Sequence, residues 1–199
     1  MSTRSSAVAS LHGRALAAYL AKPLMFTVLI WLSAAAGEVP IPGTPVPITL
    51  QTFMVMLASL MLDWRQAAGS VALYLAAGAA GLPVFAGGAS TAALFGPSAG
   101  FLIGFLPGAV VTALLKGRGA KRADGSRTGL AGTLLAALRY FGASLAGGVV
   151  VVYAFGFVLQ SALTHTPITV VAVASMGFVI GDIIKASIAS LAAAGLSRL

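Results

Sequence analysis

Two opposite charges, Asp182 and Lys185, stand inside an otherwise apolar stretch near the C-terminal end of the sequence. Residues three apart lie on one face of a helix, so we expect the two side chains to form a single site. An ionisable group at membrane depth costs roughly 2.5 to 3.5 kcal/mol on insertion scales, and it usually faces a cavity or a partner rather than lipid. The pair therefore indicates a polar binding pocket. The same spacing is also compatible with an internal ion pair that only fixes helix packing.

The composition indicates a membrane protein. Of the 199 residues, 59% are hydrophobic and only 8% are charged, and the mean hydropathy is +1.00. These values lie far outside the range of soluble globular domains, so they predict an all-α integral membrane protein. Lys and Arg outnumber Asp and Glu by 12 to 4. In a soluble chain this excess would suggest nucleic acid binding, but in a membrane protein the topology explains it and no nucleic acid partner is expected.

The sequence offers little support for catalysis or for a bound cofactor. It contains no cysteine, and its two histidines, His12 and His165, lie far apart without metal-ligand spacing. A phosphate-binding Gly-x-x-x-x-Gly-Lys-Ser/Thr run is absent, so the chain cannot hydrolyse ATP alone. Four acidic residues and two isolated histidines supply no convincing set of nucleophile, base and orienting group. We therefore expect small-molecule capture rather than an enzyme, with neither a cofactor nor a metal.

The apolar segments divide the chain into six predicted transmembrane helices within one membrane domain, residues 1–199. Residues 1–21 are expected to form a frayed cytoplasmic or interfacial lead-in, and residues 116–129 a basic cytoplasmic loop. The predicted spans are residues 22–37, 48–62, 66–82, 98–115, 130–160 and 182–198. In the fourth span three glycines recur every fourth residue, which favours close approach of a neighbouring helix. These are Gly100, Gly104 and Gly108.

Two connections, residues 37–46 and 83–97, are rich in proline and glycine and are expected to be ordered external loops without regular helix. The basic residues fall on the other side of the predicted topology, at the start of the chain, at Arg65, in the loop 116–129 and at Arg198. The positive-inside rule makes that side cytoplasmic. The sequence therefore predicts a multi-pass protein of the cytoplasmic membrane with both termini inside.

The last apolar region, residues 168–197, is too long for one simple span of about 20 residues. We predict that the chain breaks at Gly181 and that the final helix begins there and runs to Arg198. Asp182 would then lie at or beside the helix N-cap, where its carboxylate accepts backbone N–H groups. This arrangement places the charged pair near the outer leaflet, so that the two external loops and the charges enclose one outward-facing pocket.

Four motifs occur in order: PVPITLQTF at residues 45–53, YL with GLPVF at 74–85, GPSAGF at 96–101 and GDIIKA at 181–186. With these motifs the chain resembles the BioY family over roughly residues 24–195. Members of that family are the biotin-specific substrate-capture (S) components of energy-coupling-factor (ECF) transporters. The resemblance implies a six-helix fold with an outward-facing biotin site. It also implies partnership with a transmembrane coupling protein and two cytoplasmic ABC-type ATPases.

Biotin carries a ureido ring with two N–H donors and a carbonyl acceptor, an apolar thioether ring and a valerate carboxylate. Asp182 can accept from donors, whereas Lys185 can donate to a carbonyl or a carboxylate. The residues do not decide which group of biotin meets which side chain. Asp182 and Lys185 are nevertheless the principal predicted biotin-binding residues.

Weaker candidates come from the external loops. Phe85 is expected to cover the ring system, and Gln51 or Thr49 to supply hydrogen bonds. Ser90 is a candidate because the family often has an asparagine in this part of the second loop. The family's Gly-Pro-Thr/Ser-Gly-Gly-Tyr motif ends here in Phe101, so the tyrosine hydroxyl is lost at that position.

Two alternatives to ATP-driven biotin uptake stay open on the sequence. The chain could be a stand-alone permease for biotin or another small molecule, which would transport without any coupling component. It could also be a membrane-embedded structural or assembly protein in which the charged pair serves packing only, and no vitamin would then stabilise it.

Overall fold

The computed structural model describes residues 2–117 and 130–196, with side chains from residue 17 onward. The predicted basic loop therefore lies outside the described residues from position 118 to 129. The side chains of Arg4 and Arg14 lie outside the described part as well, as does Arg198. The described chain is all-α except for one short hairpin, which agrees with the predicted class.

Eight α-helices follow one another through the described chain, and the two longest connections between described helices are the predicted external loops. The helices are α1 (Ser2–Ala35), α2 (Gln51–Met61), α3 (Trp64–Ala79), α4 (Ala99–Leu115), α5 (Leu130–Ser144), α6 (Val152–Thr164), α7 (Ile168–Ala174) and α8 (Met176–Leu196). Three stretches in the described residues are long and apolar enough to cross a membrane. These are Ala17–Ala35, Leu130–Thr164 and Met176–Leu196. Two shorter apolar helices, α2 and α4, lie among them.

Helix α1 begins at Ser2, so the predicted lead-in is helical rather than frayed. Pro23 lies inside this helix and has no N–H to donate to the carbonyl of Tyr19, four residues earlier. The side-chain amide of Gln66, near the start of α3, donates to that carbonyl instead at 3.1 Å. Helix α1 therefore continues through the proline because a neighbouring helix satisfies the carbonyl that Pro23 leaves free.

The two predicted external loops are ordered, and neither forms regular α-helix. The first contains a small antiparallel hairpin, in which β1 (Glu38–Val39) pairs with β2 (Ile48–Thr49) so that Glu38 lies opposite Thr49. The second contains two 3-10 turns, Ala86–Gly88 and Thr91–Phe95. Both loops lie at the same end of the helices as the N-terminus of α2.

Helices α5 and α6 join through a π-helical segment, Leu145–Val151, into one continuous helical stretch. Helix α4 packs closely against this stretch, as the four-residue glycine spacing predicts. A Cβ atom on Gly100 would lie 2.4 Å from the carbonyl oxygen of Phe155, and one on Gly108 would lie 2.7 Å from that of Gly147. Only glycine allows the two backbones to approach so closely.

The structure corrects the predicted break in the last region. The interruption falls at Ser175, between α7 and α8, and not at Gly181. Helix α7 begins after Pro167. A tight turn follows it at Ser175, because the N–H of Phe178 donates to the carbonyl oxygen of Ser175. Helix α8 then runs through Gly181, where a side chain would meet nothing within 4 Å. A single glycine does not break a helix that is held on both sides by ordinary helical hydrogen bonds.

Candidate functional site

A cavity of about 790 Å³, counting its open mouth, lies among the ends of α2, α4, α6 and α8 under the two loops. Apolar and aromatic side chains form most of its wall, and a few polar groups converge at one side. Its lining includes Thr49, Gln51, Phe85, Asp182 and Lys185. The structure therefore brings five of the six predicted site residues together. A mainly apolar cavity with a few convergent polar groups is typical of small-molecule sites.

The charged pair forms the polar side of this cavity. The Lys185 ammonium lies 3.0 Å from Asp182 Oδ1, and the exposed fractions of the two side chains are 12% and 5%. Lys185 Nζ also donates to the carbonyl oxygen of Thr49 at 2.7 Å and to the Thr52 hydroxyl at 3.0 Å. An ammonium has three N–H donors, so protein atoms engage all three.

The Asp182 carboxylate accepts from three side chains. Thr52 Oγ1 donates to Oδ1 at 2.9 Å, beside Lys185, and the Tyr153 hydroxyl donates to Oδ2 at 2.7 Å. A carboxylate has about four acceptor positions, so Oδ2 keeps one for a further donor. The polar side of the cavity thus offers an acceptor on Asp182, while Lys185 is saturated.

These contacts correct the predicted role of Asp182 as a helix cap. Asp182 lies in the second turn of α8, which begins at Met176, so the backbone N–H groups around it are engaged within the helix. Its carboxylate instead points toward α2 and α6, where Thr52 and Tyr153 lie. Asp182 is 3% exposed, and its charge is compensated by side chains rather than by a helix terminus.

Gln51 is held by a chain of hydrogen bonds along the cavity. Its side-chain amide donates to the Tyr74 hydroxyl, which in turn donates to the carbonyl oxygen of Val84 at 3.0 Å. Its Oε1 accepts from the Thr49 hydroxyl at 2.9 Å. The amide has a second N–H, so Gln51 retains one donor beside the cavity.

Aromatic rings form the apolar wall. Phe85 packs edge-to-face on Tyr74, with ring centroids 5.3 Å apart, and its ring covers Gly78 so closely that a Cβ there would lie 2.1 Å away. Phe101 packs edge-to-face against Tyr153 and Phe178 at 6.1 and 6.0 Å. Each of these rings therefore packs against another ring or against backbone.

Ser90 is not among the described residues that line the cavity; its neighbours Ala89 and Ala93 are. Sequence reasoning also missed Thr52 and Tyr153, the two hydroxyl donors to Asp182. Thr52 follows Gln51 directly in the PVPITLQTF motif, which could have identified it. Tyr153 stands in a long apolar region without any polar neighbour to mark it.

The lining also includes Glu38, an exposed residue of strand β1. Within the described part of the chain, the acidic residues and histidines do not gather into any group of three that could hold a metal ion.

Comparison with known proteins identifies the family. The profile of the BioY family matches residues 4–199. The chain is 37% identical to the Biotin transporter BioY of Rhizobium etli over 168 residues, 84% of this chain and 86% of that protein. It is 35% identical to the Biotin transporter BioY of Thermotoga maritima over 183 residues, 90% and 96% of the two chains.

A solved structure agrees with these relatives. The fold is similar to the crystal structure at 2.1 Å of the S-component for biotin from an ECF-type ABC transporter, with a TM-score of 0.80 and 26% identity over 94% of each chain. The relatives are named for transport rather than for catalysis. On the matched length and the shared fold, this chain belongs to the BioY family.

Proposed function

We propose that this protein captures biotin from outside the cell and delivers it inward as the S component of an ECF transporter. The observation that carries the proposal is the buried Asp182–Lys185 pair beside an aromatic-walled cavity. The relatives named as biotin transporters support the same ligand.

The free hydrogen-bonding capacity of the cavity suggests how biotin lies in it. Asp182 Oδ2 has room for one more donor, and a ureido N–H supplies it. The second N–H of Gln51 is available for the ureido carbonyl. Lys185 has no free donor, since Thr49, Thr52 and Asp182 engage all three. The ureido ring therefore faces the buried polar side, and the valerate tail extends toward the mouth.

The apolar rings of biotin would then lie against the aromatic wall. Phe85 and Phe101 both line the cavity, so their rings are the apolar groups that the biotin rings would contact. Direct contacts from Asp182, Gln51 and Phe85 follow from this placement. Lys185 and Thr49 take part in biotin binding by holding the Asp182 carboxylate and the Gln51 amide in position. Ser90 is a weaker part of the proposal, because it does not line the cavity among the described residues.

The distribution of charge supports six membrane crossings with the cavity facing outward. Lys116 bonds to the C-terminal end of α2, whereas the cavity lies at its N-terminal end. Helix α2 has 11 residues, so its two ends lie about 16 Å apart. Arg65 lies in the first turn of α3, at the same end as Lys116. Under the positive-inside rule this end is cytoplasmic, so both termini lie inside.

Energy for uptake would come from partner proteins. The sequence has no nucleotide-binding motif of its own, and the similar crystal structure belongs to an ECF-type ABC transporter. We therefore propose a transmembrane coupling protein and two ABC-type ATPases as partners. Biotin uptake by cells that lack all of these components would instead identify a stand-alone permease.

The direct test is thermal unfolding of the detergent-purified protein with and without biotin. A ligand that binds only the folded state stabilises it by about 2.7 kcal/mol at a hundredfold excess over Kd, so biotin should raise the Tm clearly. A biotin analogue without the ureido carbonyl and an unrelated vitamin serve as matched controls and should give smaller shifts. Folded protein that shows no shift with biotin would contradict the proposed ligand.

A further inference from the structure

A second carboxylate, that of Glu38, lies at the mouth of the cavity. Strand β1 places Glu38 directly opposite Thr49, and the Thr49 carbonyl is bonded to Lys185. Both carboxylate oxygens of Glu38 lie 3.4 Å from the position of a Cβ on Gly87, in the second loop. The Glu38 side chain thus extends from the hairpin to the loop across the entrance.

The charges around the cavity are unequal. Among the described residues that line it, two are acidic, Glu38 and Asp182, and one is basic, Lys185. Lys185 is paired with Asp182 at 3.0 Å, so the negative charge of Glu38 has no described counter-ion in the lining. The mouth therefore carries an unbalanced negative charge.

We propose that Glu38 determines selectivity for the tail of the ligand: it disfavours a free carboxylate at the mouth and admits biotin amides with a neutral or cationic end. This inference depends on the proposed function and on the ureido ring facing Asp182. With the ring at the buried side, the tail carboxylate approaches Glu38. Two like charges a few ångströms apart in a wet site repel enough to change affinity several-fold, and salt screens the repulsion.

The test compares biotin with biotinamide, which differs only in lacking the tail charge. Titration calorimetry of wild type and Glu38→Gln at low salt should show biotin affinity rising about threefold to tenfold in the variant. Biotinamide affinity should change by less than about twofold, because no tail charge opposes Glu38. In wild type, added salt should raise biotin affinity relative to that of the amide.

A charge-matched control is Asp63→Asn, which removes one negative charge at the other end of the protein. Asp63 caps α3 by accepting from the N–H groups of Arg65 and Gln66, and asparagine caps almost as well. This variant should leave the affinity ratio of biotin to biotinamide unchanged. Glu38→Lys should raise the affinity ratio of biotin to biotinamide by more than Glu38→Gln does.

Each outcome separates this inference from the proposed function. An unchanged ratio in Glu38→Gln, in protein that binds biotin, would overturn the role of Glu38 alone. Weaker binding of both ligands would show that Glu38 accepts a hydrogen bond from the ring system, which also overturns it. Wild type that binds neither ligand would overturn the proposed function together with this inference.

Discussion

The two ends of α2 each contact a partly buried lysine, and the surroundings of the two lysines differ. At the C-terminal end, Lys116 Nζ donates to the main-chain carbonyls of Ser59 and Leu60 at 2.9 and 2.8 Å, and also to that of Leu62. At the N-terminal end, Lys185 donates to one carbonyl, one hydroxyl and the Asp182 carboxylate. All three N–H donors of each ammonium group are engaged, and Lys185, unlike Lys116, lines the cavity described above.

The comparison separates a structural charge from a binding site. The last carbonyls of a helix have no partner within it, and a cation there satisfies them and complements the helix dipole. Lys116 performs this role completely and leaves nothing free. At Lys185, the carboxylate that neutralises the charge keeps an acceptor position open toward the cavity. Burial of a charge is therefore a weak sign of function, whereas free hydrogen-bonding capacity next to a cavity is a strong one.

The largest effect is expected for Asp182→Ala. Biotin affinity should fall about 10- to 150-fold, since a hydrogen bond to a charged group contributes about 1.5 to 3 kcal/mol. The free energy of unfolding should also fall by about 3 to 5 kcal/mol, because Lys185 loses its counter-ion in a buried site. Calorimetric titration and thermal unfolding measure the two quantities.

A double variant, Asp182→Leu with Lys185→Met, distinguishes binding from packing. Replacing a whole buried ion pair by apolar residues is often neutral for stability, so this variant should regain most of the lost Tm. It should still fail to bind biotin. If it bound biotin like wild type, the pair would serve packing only, as the structural alternative holds.

Lys116→Met should lower stability and leave biotin binding intact, which is the opposite of the double variant. Three carbonyls lose their donor, so the free energy of unfolding should fall by about 1 to 3 kcal/mol. The biotin affinity of the folded variant should stay within about twofold of wild type, because Lys116 lies at the far end of α2. A large loss of affinity in folded Lys116→Met would remove the distinction between the two ends.

The pH dependence of stability tests the surroundings of Lys116 at the C-terminal end of α2. Lys116 lies just beyond the end of α4, and burial lowers its pKa from the ordinary 10.5 to about 8, with the Asp63 carboxylate acting in the opposite direction. Between these two values the unfolded state binds the proton more tightly, so wild-type stability should rise from pH 8 toward pH 10.5. The Tm difference between wild type and Lys116→Met should grow over that window, and a constant difference would contradict the pKa shift.

A smaller effect is expected for Tyr153→Phe, which removes one of the three donors to Asp182. Biotin affinity should fall about tenfold, the equivalent of about 1.4 kcal/mol, because the carboxylate is less well oriented and less well solvated. Tyr140→Phe is a matched control, since Tyr140 is buried but does not line the cavity. Equal losses of affinity in both variants would show that the effect is general and not specific to Asp182.

The smallest effect is expected for Gly181→Ala, one residue before Asp182. Helix α8 is continuous there and a Cβ would meet nothing within 4 Å. Alanine should therefore leave biotin affinity unchanged and raise the unfolding free energy by up to about 1 kcal/mol. Gly100→Ala, in contrast, should destabilise the protein, because its Cβ would lie 2.4 Å from a backbone oxygen. A marked loss of biotin affinity or of unfolding free energy in Gly181→Ala would instead support the predicted helix break at Gly181.

Several features could be predicted from local sequence alone. Periodic glycines at 100, 104 and 108 predicted the close packing of α4, because backbone approach depends directly on the missing side chain. Prolines and glycines in 37–46 and 83–97 predicted ordered loops without regular helix. Helix spacing predicted that Asp182 and Lys185 share one site, which the 3.0 Å contact confirms.

The break at Ser175 and the long helix α1 could not be predicted in this way. A glycine at position 181 has the local properties of a helix end, yet the helical hydrogen bonds on both sides continue α8 through it. Pro23 has the local properties of a helix stop, yet Gln66 supplies the missing donor. The continuity of α1 therefore depends on a residue that is distant in sequence.

The sequence by itself determined the membrane class, the family and the pair of charges, because hydropathy, motifs and helical spacing are properties of neighbouring residues. Only the tertiary structure decided which atoms remain free to bind a ligand. Thr52 and Tyr153 come from two other helices, and their hydroxyl groups orient Asp182 and leave one acceptor position on Oδ2. Hydrogen-bonding capacity is counted over contacts in space, so it becomes known only when the helices are packed together.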